Sequence, residues 1–203
     1  MTEQRSPEWF AERLGLATAS NFRKILEKIK TGEAADRRNY RAQLVIERLT
    51  GKPSESYSNS AMQWGNEQEP FARIAYMAQT GNVVDEVGFI PHAILLAGAS
   101  PDGLIGSNGL IEIKCPVSAT HIETLKAHEM PAEHMPQVQG QLWVTGREWC
   151  DFVSYDPRMP EKLQLFIKRV ARDEKYIEEL EKEVATFLNE VAAEVEELNK
   201  IAA

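Results

Sequence analysis

In the first eighty residues, apolar side chains recur every three or four positions, which is the period of an amphipathic helix. The order Ser6, Pro7, Glu8 is typical of a helix start, because serine caps well and proline fits the first helical position. Gly15 and Gly51 are placed as helix stops. The predicted helices run from Ser6 to Gly15, from a cap at Thr18 or Ser20 to Ile29, over residues 36–50 and over about 66–79, with a polar loop at 54–60.

From Val83 onward the apolar pattern changes to short β-branched runs, which indicate strands. The turn at 106–109 separates two such runs and predicts a hairpin. Strands are predicted at 83–90, 94–99, 102–105, 110–115, 152–155 and 163–170, and helices at 117–128 and about 134–145. This order predicts an α/β fold, a mixed central β-sheet flanked by helices, and residues 1–203 contain no linker that would divide them into two domains.

The C-terminal segment from Asp173 is predicted to be one long amphipathic helix. Its apolar positions follow three-four spacing from Ile177 to Leu198. Such a helix can pack on the domain or offer a face for a coiled-coil partner, and the pattern leaves both open. The helix is also acidic, with ten Asp or Glu residues against three lysines.

The formal net charge of −8 does not exclude a nucleic-acid partner, because the acids are concentrated in this tail. Residues 1–172 hold 20 basic and 21 acidic side chains, and residues 23–48 hold eight basic and four acidic ones. A locally basic surface could hold phosphates. The sequence has neither a membrane-length apolar run nor a signal-peptide pattern, and its two cysteines suit a reduced, cytoplasmic protein.

The candidate chemistry lies in the predicted hairpin. Glu112 and Lys114 share one face of a strand, and Ile111 and Ile113 share the other. Asp102 lies roughly opposite them on the neighbouring strand, where partner Cβ atoms are about 4.5–5.5 Å apart. Two carboxylates this close repel each other unless a cation lies between them, and oxygen ligands suit Mg²⁺, or Mn²⁺ as a substitute. A Glu and a Lys in an otherwise apolar strand would be costly without a role.

These residues, Pro101-Asp102 and then Glu112-Ile113-Lys114, match the nuclease motif of the restriction-endonuclease-like superfamily. More narrowly, the chain resembles the phage lambda exonuclease and YqaJ-like viral recombinase family. The resemblance rests on many short motifs in the same order. These are Arg13-Leu14-Gly15, Thr18-Ala19-Ser20, Trp64-Gly65 with Glu69, Ser100-Pro101-Asp102-Gly103-Leu104, Glu112-Ile113-Lys114-Cys115-Pro116, Gln137-Val138-Gln139, Trp143-Val144-Thr145, Tyr155-Asp156-Pro157-Arg158-Met159 and Arg172-Asp173-Glu174-Lys175-Tyr176.

The resemblance implies a role for each matching residue. Asp102, Glu112 and the Ile113 carbonyl would be metal ligands, and Lys114 would be the catalytic lysine. Glu69 would help to hold a second metal or its water, and Gln137 would lie near the attacking water. Arg13 and Ser20 would hold a terminal 5′-phosphate. The chain departs from the lambda pattern at His134, because the lambda protein has an aromatic residue at that position. No role is assigned to His134.

The resemblance further implies a Mg²⁺-dependent 5′-to-3′ exonuclease that digests double-stranded DNA to 5′-mononucleotides and leaves a 3′ overhang. It also implies a ring-shaped homotrimer, a single-strand annealing protein as recombination partner, and a phage or prophage origin in a bacterial cytoplasm. The motif alone leaves open an endonuclease of restriction or repair type, and a DNA-binding or annealing module without catalysis. A zinc site from His121, His128 and His134 is a further alternative, although neither H-E-x-x-H nor paired C-x-x-C is present. Two cysteines cannot hold an iron-sulfur cluster, and there is no P-loop.

Overall fold

The structure is a computed structural model that describes residues 2–53 and 60–202. Its strands form two sheets rather than the one sheet that the sequence predicts. The larger sheet has the order β4-β5-β6-β7, and only its central pair, β5 and β6, is parallel. The strands are β4 (Gly103–Ile105), β5 (Gly109–Lys114), β6 (Trp149–Tyr155) and β7 (Leu165–Ala171).

The smaller sheet has the order β1-β3-β2, with strands of two or three residues. They are β1 (Ala17–Thr18), β2 (Ile90–Pro91) and β3 (Ala97–Ala99). This sheet brings the segment after the first helix beside the segment that leads into Asp102. The predicted α/β class, with helices around mixed sheets and a C-terminal helix, is confirmed.

Helices cover both faces of the larger sheet. The helix α4 packs with Ala72 and Tyr76 against Ile111, Ile113 and Val153 on one face. The other face carries the larger core, to which several helices contribute. The helices are α1 (Pro7–Glu12), α2 (Phe22–Leu26), α3 (Ala35–Thr50), α4 (Ser60–Thr80), α5 (Ser118–Ala127), α6 (Met135–Thr145) and α7 (Glu174–Ile201), with short 3₁₀ turns at Ala19–Asn21, Ala132–His134 and Glu161–Leu163.

The C-terminal helix α7 packs on the domain, as the first of the two sequence-based alternatives states. Asp173 caps it by accepting a hydrogen bond from the Tyr176 amide at 3.0 Å. Ile177, Leu180, Val184, Phe187 and Val191 of its apolar stripe are buried in the larger core.

The acidic side of α7 neutralises the basic stretch of the N-terminal half. Arg37 makes a two-pronged contact with Glu190, at 2.8 and 2.9 Å. Arg41 pairs with Glu194 at 3.1 Å, and Lys28 pairs with Glu183 at 2.7 Å. These three side chains are therefore paired within the chain, and phosphate binding by the basic stretch stays a prediction.

Other sequence-based boundaries are also wrong. The second helix ends at Leu26 because Glu27 adopts an extended backbone, and Ile29 is exposed. Most of the predicted strand 83–90 is irregular, and Asp85 makes an isolated β-bridge with Leu104. Here the chain packs instead against the N-terminal segment, where Gly88 lies close to Thr2. The His92 ring accepts the amides of residues 94 and 95, which makes a turn where a strand was predicted.

Helix α4 begins at Ser60, before the predicted start near residue 66. The loop predicted over 54–60 is therefore wrong at Ser60, and its other residues lie outside the described ones. The strand predicted from residue 163 begins at Leu165 instead, because Glu161–Leu163 form a 3₁₀ turn. Across the described part of the chain, no helix combines the length and apolar character needed to span a membrane.

Candidate active site

The predicted hairpin forms and places Asp102 beside β5. Gly103 pairs with Ile111, so Asp102 is next to Glu112 across the two strands. The Asp102 amide donates to the Ile111 carbonyl at 3.2 Å, and the Asp102 carboxylate accepts the Ile113 amide at 2.6 Å. The N–H and C=O of one strand residue point to the same side. The Ile113 carbonyl therefore faces the side of the strand on which the Asp102 carboxylate lies.

Glu112 is a buried carboxylate that three side chains contact. Lys114 Nζ lies 2.5 Å from Glu112 Oε1, and Gln137 Nε2 donates to the same oxygen at 2.7 Å. Gln141 Nε2 donates to Oε2 at 2.6 Å. Lys114 also donates to Gln137 Oε1 at 3.1 Å, which closes a small network. A buried carboxylate needs such donors, and here they also fix its orientation.

The charges of the site favour an added cation. Burial raises the pKa of Asp102 well above its usual value, and the carboxylates of Glu112 and Glu69 raise it further. Burial alone would lower the pKa of Lys114, but Glu112 and Asp102 raise it overall. Lys114 is therefore an ammonium group at neutral pH and is suited to donate hydrogen bonds rather than to accept a proton.

The donor set fits a hard divalent cation. Asp102 and Glu112 offer carboxylate oxygens, and the Ile113 carbonyl offers a third oxygen on the same side. Across residues 2–53 and 60–202, no group of three His, Cys, Asp or Glu side chains is arranged to hold a metal ion. The two carboxylates of Asp102 and Glu112 are the number that Mg²⁺ commonly uses, with water and substrate phosphates as its other ligands.

Glu69 borders the same cleft but points into ion pairs. The cleft has a volume of about 450 Å³ and is lined by Glu69, Asp102, Glu112, Lys114 and Gln137, among others. Helix α4 places Glu69 there, and Arg73, one turn later, holds its carboxylate at 2.9 Å. Arg5 contacts the other carboxylate oxygen. Glu69 is close enough to raise the pKa of Asp102, but it is not grouped with Asp102 and Glu112 as a ready metal ligand.

Arg13 and Ser20 line a second, smaller cavity of about 180 Å³. Arg5 and Gln137 line both cavities, so the two adjoin. The Arg13 guanidinium stacks on the Trp9 ring at 3.7 Å, and its pKa is lowered by burial. The prediction that Ser20 caps a helix is wrong, because it lies inside the 3₁₀ turn Ala19–Asn21. Its hydroxyl, rather than a helix N-terminus, is the group that could contact an anion here.

The sequence reasoning missed two residues of these cavities. Gln141 follows Gln137 by one helical turn, so the i, i+4 spacing in α6 was a signal that both could reach Glu112. Its Oε1 is buried without a hydrogen-bond partner, and the residue lines the smaller cavity. Ser100 lines that cavity too and accepts a hydrogen bond from Trp9 Nε1 at 3.0 Å. Trp9 therefore supports both Arg13 and Ser100.

The histidines do not form the alternative zinc site. The His121 ring is buried and contacts the Ser154 hydroxyl at 2.7 Å and the Leu163 carbonyl at 2.8 Å. The His134 ring stacks on Phe152 with centroids 5.2 Å apart. His128 ends α5 with a left-handed backbone. Each histidine thus has a separate structural place, in agreement with the lack of a three-residue metal cluster in the described chain.

Comparisons with known proteins show the family and the fold of the chain. A family model described as the YqaJ-like viral recombinase domain matches residues 8–148. The crystal structure of LHK-Exo in complex with dAMP is 50% identical and has a TM-score of 0.91, with 97% of this chain and 98% of that chain covered. An alkaline exonuclease, LHK-Exo from Laribacter hongkongensis, gives 49% identity and the same TM-score and coverage.

Two other similar proteins have lower sequence identity to this chain. A phage-related exonuclease from Haemophilus somnus has a TM-score of 0.70 at 15% identity, over 90% of this chain and 96% of that one, which shows a shared fold. An uncharacterized protein of Acanthamoeba polyphaga mimivirus is 26% identical over 165 residues, 74% of this chain, and the chain spans 29% of its length. The region that the family model matches, residues 8–148, contains all the predicted site residues: Arg13, Ser20, Glu69, Asp102, Glu112, Ile113, Lys114 and Gln137. The chain belongs to the YqaJ-like viral recombinase family.

Proposed function

We propose that this protein is a metal-dependent deoxyribonuclease that digests double-stranded DNA from its 5′ ends. The observation that carries the proposal is the adjoining pair of cavities, one with Asp102, Glu112 and Lys114, the other with Arg13 and Ser20. The alkaline exonuclease that shares half of this sequence supports the same class of activity.

In this proposal, the smaller cavity takes the terminal 5′-phosphate. Arg13 supplies a positive charge and a forked set of donors, and the hydroxyls of Ser20 and Ser100 supply further hydrogen bonds. Trp9 holds both Arg13 and Ser100 in place, which limits the entropy lost on binding. The contacts are to phosphate rather than to base edges, so digestion would not depend on sequence.

The larger cleft takes the phosphodiester bond one nucleotide further along. Asp102, Glu112 and the Ile113 carbonyl would hold Mg²⁺, or Mn²⁺ as a substitute. Glu69 would help to hold a second metal ion or the water bound to it. A bound Mg²⁺ would polarise the phosphoryl group and increase the acidity of the attacking water. Lys114 donates to the developing negative charge, and Gln137 orients the water while it holds Glu112. The products are 5′-mononucleotides and a 3′ single-stranded overhang.

The partners follow from the family resemblance. We propose double-stranded DNA ends as substrate, a homotrimeric ring as the assembly, and a single-strand annealing protein that receives the overhang. Recombination of phage type in a bacterial cytoplasm is the corresponding setting. The alternatives are an endonuclease and a DNA-binding module without catalysis. The smaller cavity with Arg13 and Ser20, the end-phosphate cavity of this proposal, lies beside the cleft and favours an exonuclease. The paired carboxylates with Lys114 favour catalysis.

One experiment tests the proposal against both alternatives. Linear duplexes carry a label at either the 5′ or the 3′ end and are incubated with Mg²⁺ or with EDTA, beside a closed circular duplex. We expect early release of the 5′ label as a mononucleotide, late release of the 3′ label, an intact circle, and no reaction in EDTA. Cutting of the circle would identify an endonuclease, and binding without release of either label would identify a non-catalytic module.

A further inference from the structure

Arg5 occupies the boundary between the two cavities. It lines the cleft with Asp102, Glu112 and Lys114, and also the cavity with Arg13 and Ser20. Its side chain is 42% exposed, so the guanidinium is accessible from both. A DNA strand that extends from the end-phosphate cavity into the cleft must pass this side chain.

The chain around Arg5 is held in an unusual backbone conformation. Its φ of 69° is left-handed, and within residues 2–53 and 60–202 His128 is the other non-glycine residue with positive φ. Gln4 fixes the segment, since its Nε2 donates at 2.8 Å to the carbonyls of both Val87 and Pro101. Pro101 immediately precedes Asp102. Backbone of this kind persists where neighbouring contacts impose it, and it is concentrated at functional sites.

Glu69, the present partner of Arg5, has another cation beside it. Glu69 is already paired with Arg73, whose side chain is 10% exposed and which also pairs with Glu86 at 2.6 Å. Arg5 adds a second cation to Glu69. Because the Arg5 side chain is partly exposed, solvent screens part of this attraction. The guanidinium can therefore leave Glu69 for a better ligand without leaving a buried carboxylate unpaired.

We propose that Arg5 binds the scissile phosphate, which is the first internucleotide phosphate of the 5′-ended strand and the group next to the terminal phosphate. The inference rests on the proposed function and extends it to a residue outside the family motifs quoted above. A guanidinium presents two parallel N–H donors to two phosphate oxygens and keeps its charge at every working pH. Arg13 and Arg5 would then hold consecutive phosphates, which aligns the strand with Lys114 and the carboxylates.

The test measures duplex binding in EDTA, where no cleavage is expected, over a series of salt concentrations. Loss of one phosphate contact lowers the slope of log affinity against log salt by about 0.7–0.9. We expect this change in Arg5→Gly, which tolerates the left-handed backbone, and in Arg5→Gln, which retains a polar side chain without charge. Their affinity should fall about tenfold. Arg5→Lys should keep the slope. Lys182→Ala, which removes one positive charge from the exposed side of α7, is the matched control and should behave as wild type.

A wild-type slope in Arg5→Gly or Arg5→Gln, at equal folded fraction by circular dichroism, would overturn the proposal and leave Arg5 as a surface ion-pair partner of Glu69. The proposal would also be overturned if the slope of log affinity against log salt fell as much in Arg5→Lys as in Arg5→Gln. Failure of the proposed function is a separate result, because the wild-type protein itself would then fail to release the 5′ label in Mg²⁺.

Discussion

At the residue scale, Glu112 shows how a charged side chain is accommodated in an apolar strand. Its neighbours Ile111 and Ile113 fill one core, while its own carboxylate is 1% exposed on the other face. Lys114 and Gln137 contact its Oε1 and Gln141 donates to its Oε2, so the carboxylate has a fixed orientation beside Asp102, its neighbour across the two strands. We expect a cation to bind between these two carboxylates.

The first prediction concerns this network. Lys114→Ala and Glu112→Gln should each reduce cleavage by at least about a hundredfold, as removal of one charge-stabilising group does in comparable sites. DNA affinity should change little, because binding depends on other cations. Initial rates and duplex affinity are to be compared with Lys168→Ala, a lysine paired with Glu129 on the surface. Near-normal cleavage by either variant would remove that side chain from the catalytic group.

The second prediction concerns the end-phosphate cavity. Wild-type protein should digest a duplex with a 5′-phosphate about tenfold faster than one with a 5′-hydroxyl, since charged hydrogen bonds contribute about 1.5–3 kcal/mol each. Arg13→Ala should reduce this difference, chiefly by slowing digestion of the phosphorylated end. Time courses on matched duplexes measure both rates. Equal wild-type rates, or an undiminished preference in Arg13→Ala, would contradict the role of Arg13.

The third prediction concerns pH. Burial, together with the charges of Lys114 and Arg23, lowers the pKa of His134 to about 4. Since an unfolded histidine titrates near 6.5, the unfolded chain binds more protons between pH 6.5 and pH 4, and stability must fall as the pH falls through that window. His134→Phe keeps an aromatic ring against Phe152 but has no group that titrates there. Between pH 6.5 and pH 4 its free energy of unfolding should fall by up to about 3 kcal/mol less than that of the wild type.

Urea unfolding of wild type and His134→Phe across this window measures the effect. His128→Asn is the control, because it removes an exposed histidine at a left-handed helix end that asparagine tolerates. Parallel pH curves for His134→Phe and wild type would show that His134 does not cause the acid sensitivity.

At the element scale, α7 is a structural part of the domain that also supports the site. Phe187 is fully buried and stacks on Tyr40, with ring centroids 5.5 Å apart. The Tyr40 hydroxyl accepts the Thr18 amide at 2.9 Å, and Thr18 lies two residues before Ser20. The tail helix is thus connected by packing to the end-phosphate cavity.

The fourth prediction follows from that packing. Phe187→Ala should lower the free energy of unfolding by about 3–5 kcal/mol, because a buried aromatic side chain is replaced by a cavity. Glu196→Ala, at a position on α7 with a 70% exposed side chain, should change it by less than about 0.5 kcal/mol. Urea denaturation monitored by tryptophan fluorescence gives both values. A Phe187→Ala variant as stable as the control would show that α7 is not part of the cooperative core.

At the scale of the whole molecule, the net charge of −8 conceals an internal division of charge. Glutamates of α7 pair with Arg37 and Arg41 of α3 and with Lys28 of the loop before it, while Arg5, Arg13 and Lys114 line the two cavities. We expect Arg5 and Arg13 to contribute to DNA binding together with other basic side chains, so that the loss of Lys114 alone changes the affinity little.

The fifth prediction is that the protein forms a trimer, and it rests on the family resemblance. A cyclic trimer closes on itself and could retain DNA between cuts. Phe71 and Ile74, one turn apart on α4, are 57% and 59% exposed and supply apolar area for contact. Light scattering should give three times the 22.9 kDa chain mass over a concentration series. A monomer mass together with processive digestion would contradict the ring.

The sequence by itself determined what depends on local pattern. The 3.6-residue period of α7, the Gly51 helix stop and the alternation in β5 follow from the geometry of helix and strand, and the structure has each of them. Asp102 and Glu112 were also predicted to be neighbours, since a short hairpin fixes register locally. Residues 83–89 and 94–96 were wrongly predicted as strand, whereas Ala97–Ala99 form β3, the central strand of the smaller sheet. Strand formation in such short segments depends on remote partners.

Tertiary structure alone decided which charges were available and which cavities adjoined. Local pattern does not show that Arg37, Arg41 and Lys28 pair with a helix about 150 residues away, since such contacts are set by packing of the core. It also does not show that Arg5 reaches Glu69, or that Gln141 reaches Glu112. Electrostatic interactions depend on distance in space and on burial, and neither can be read from spacing along a chain.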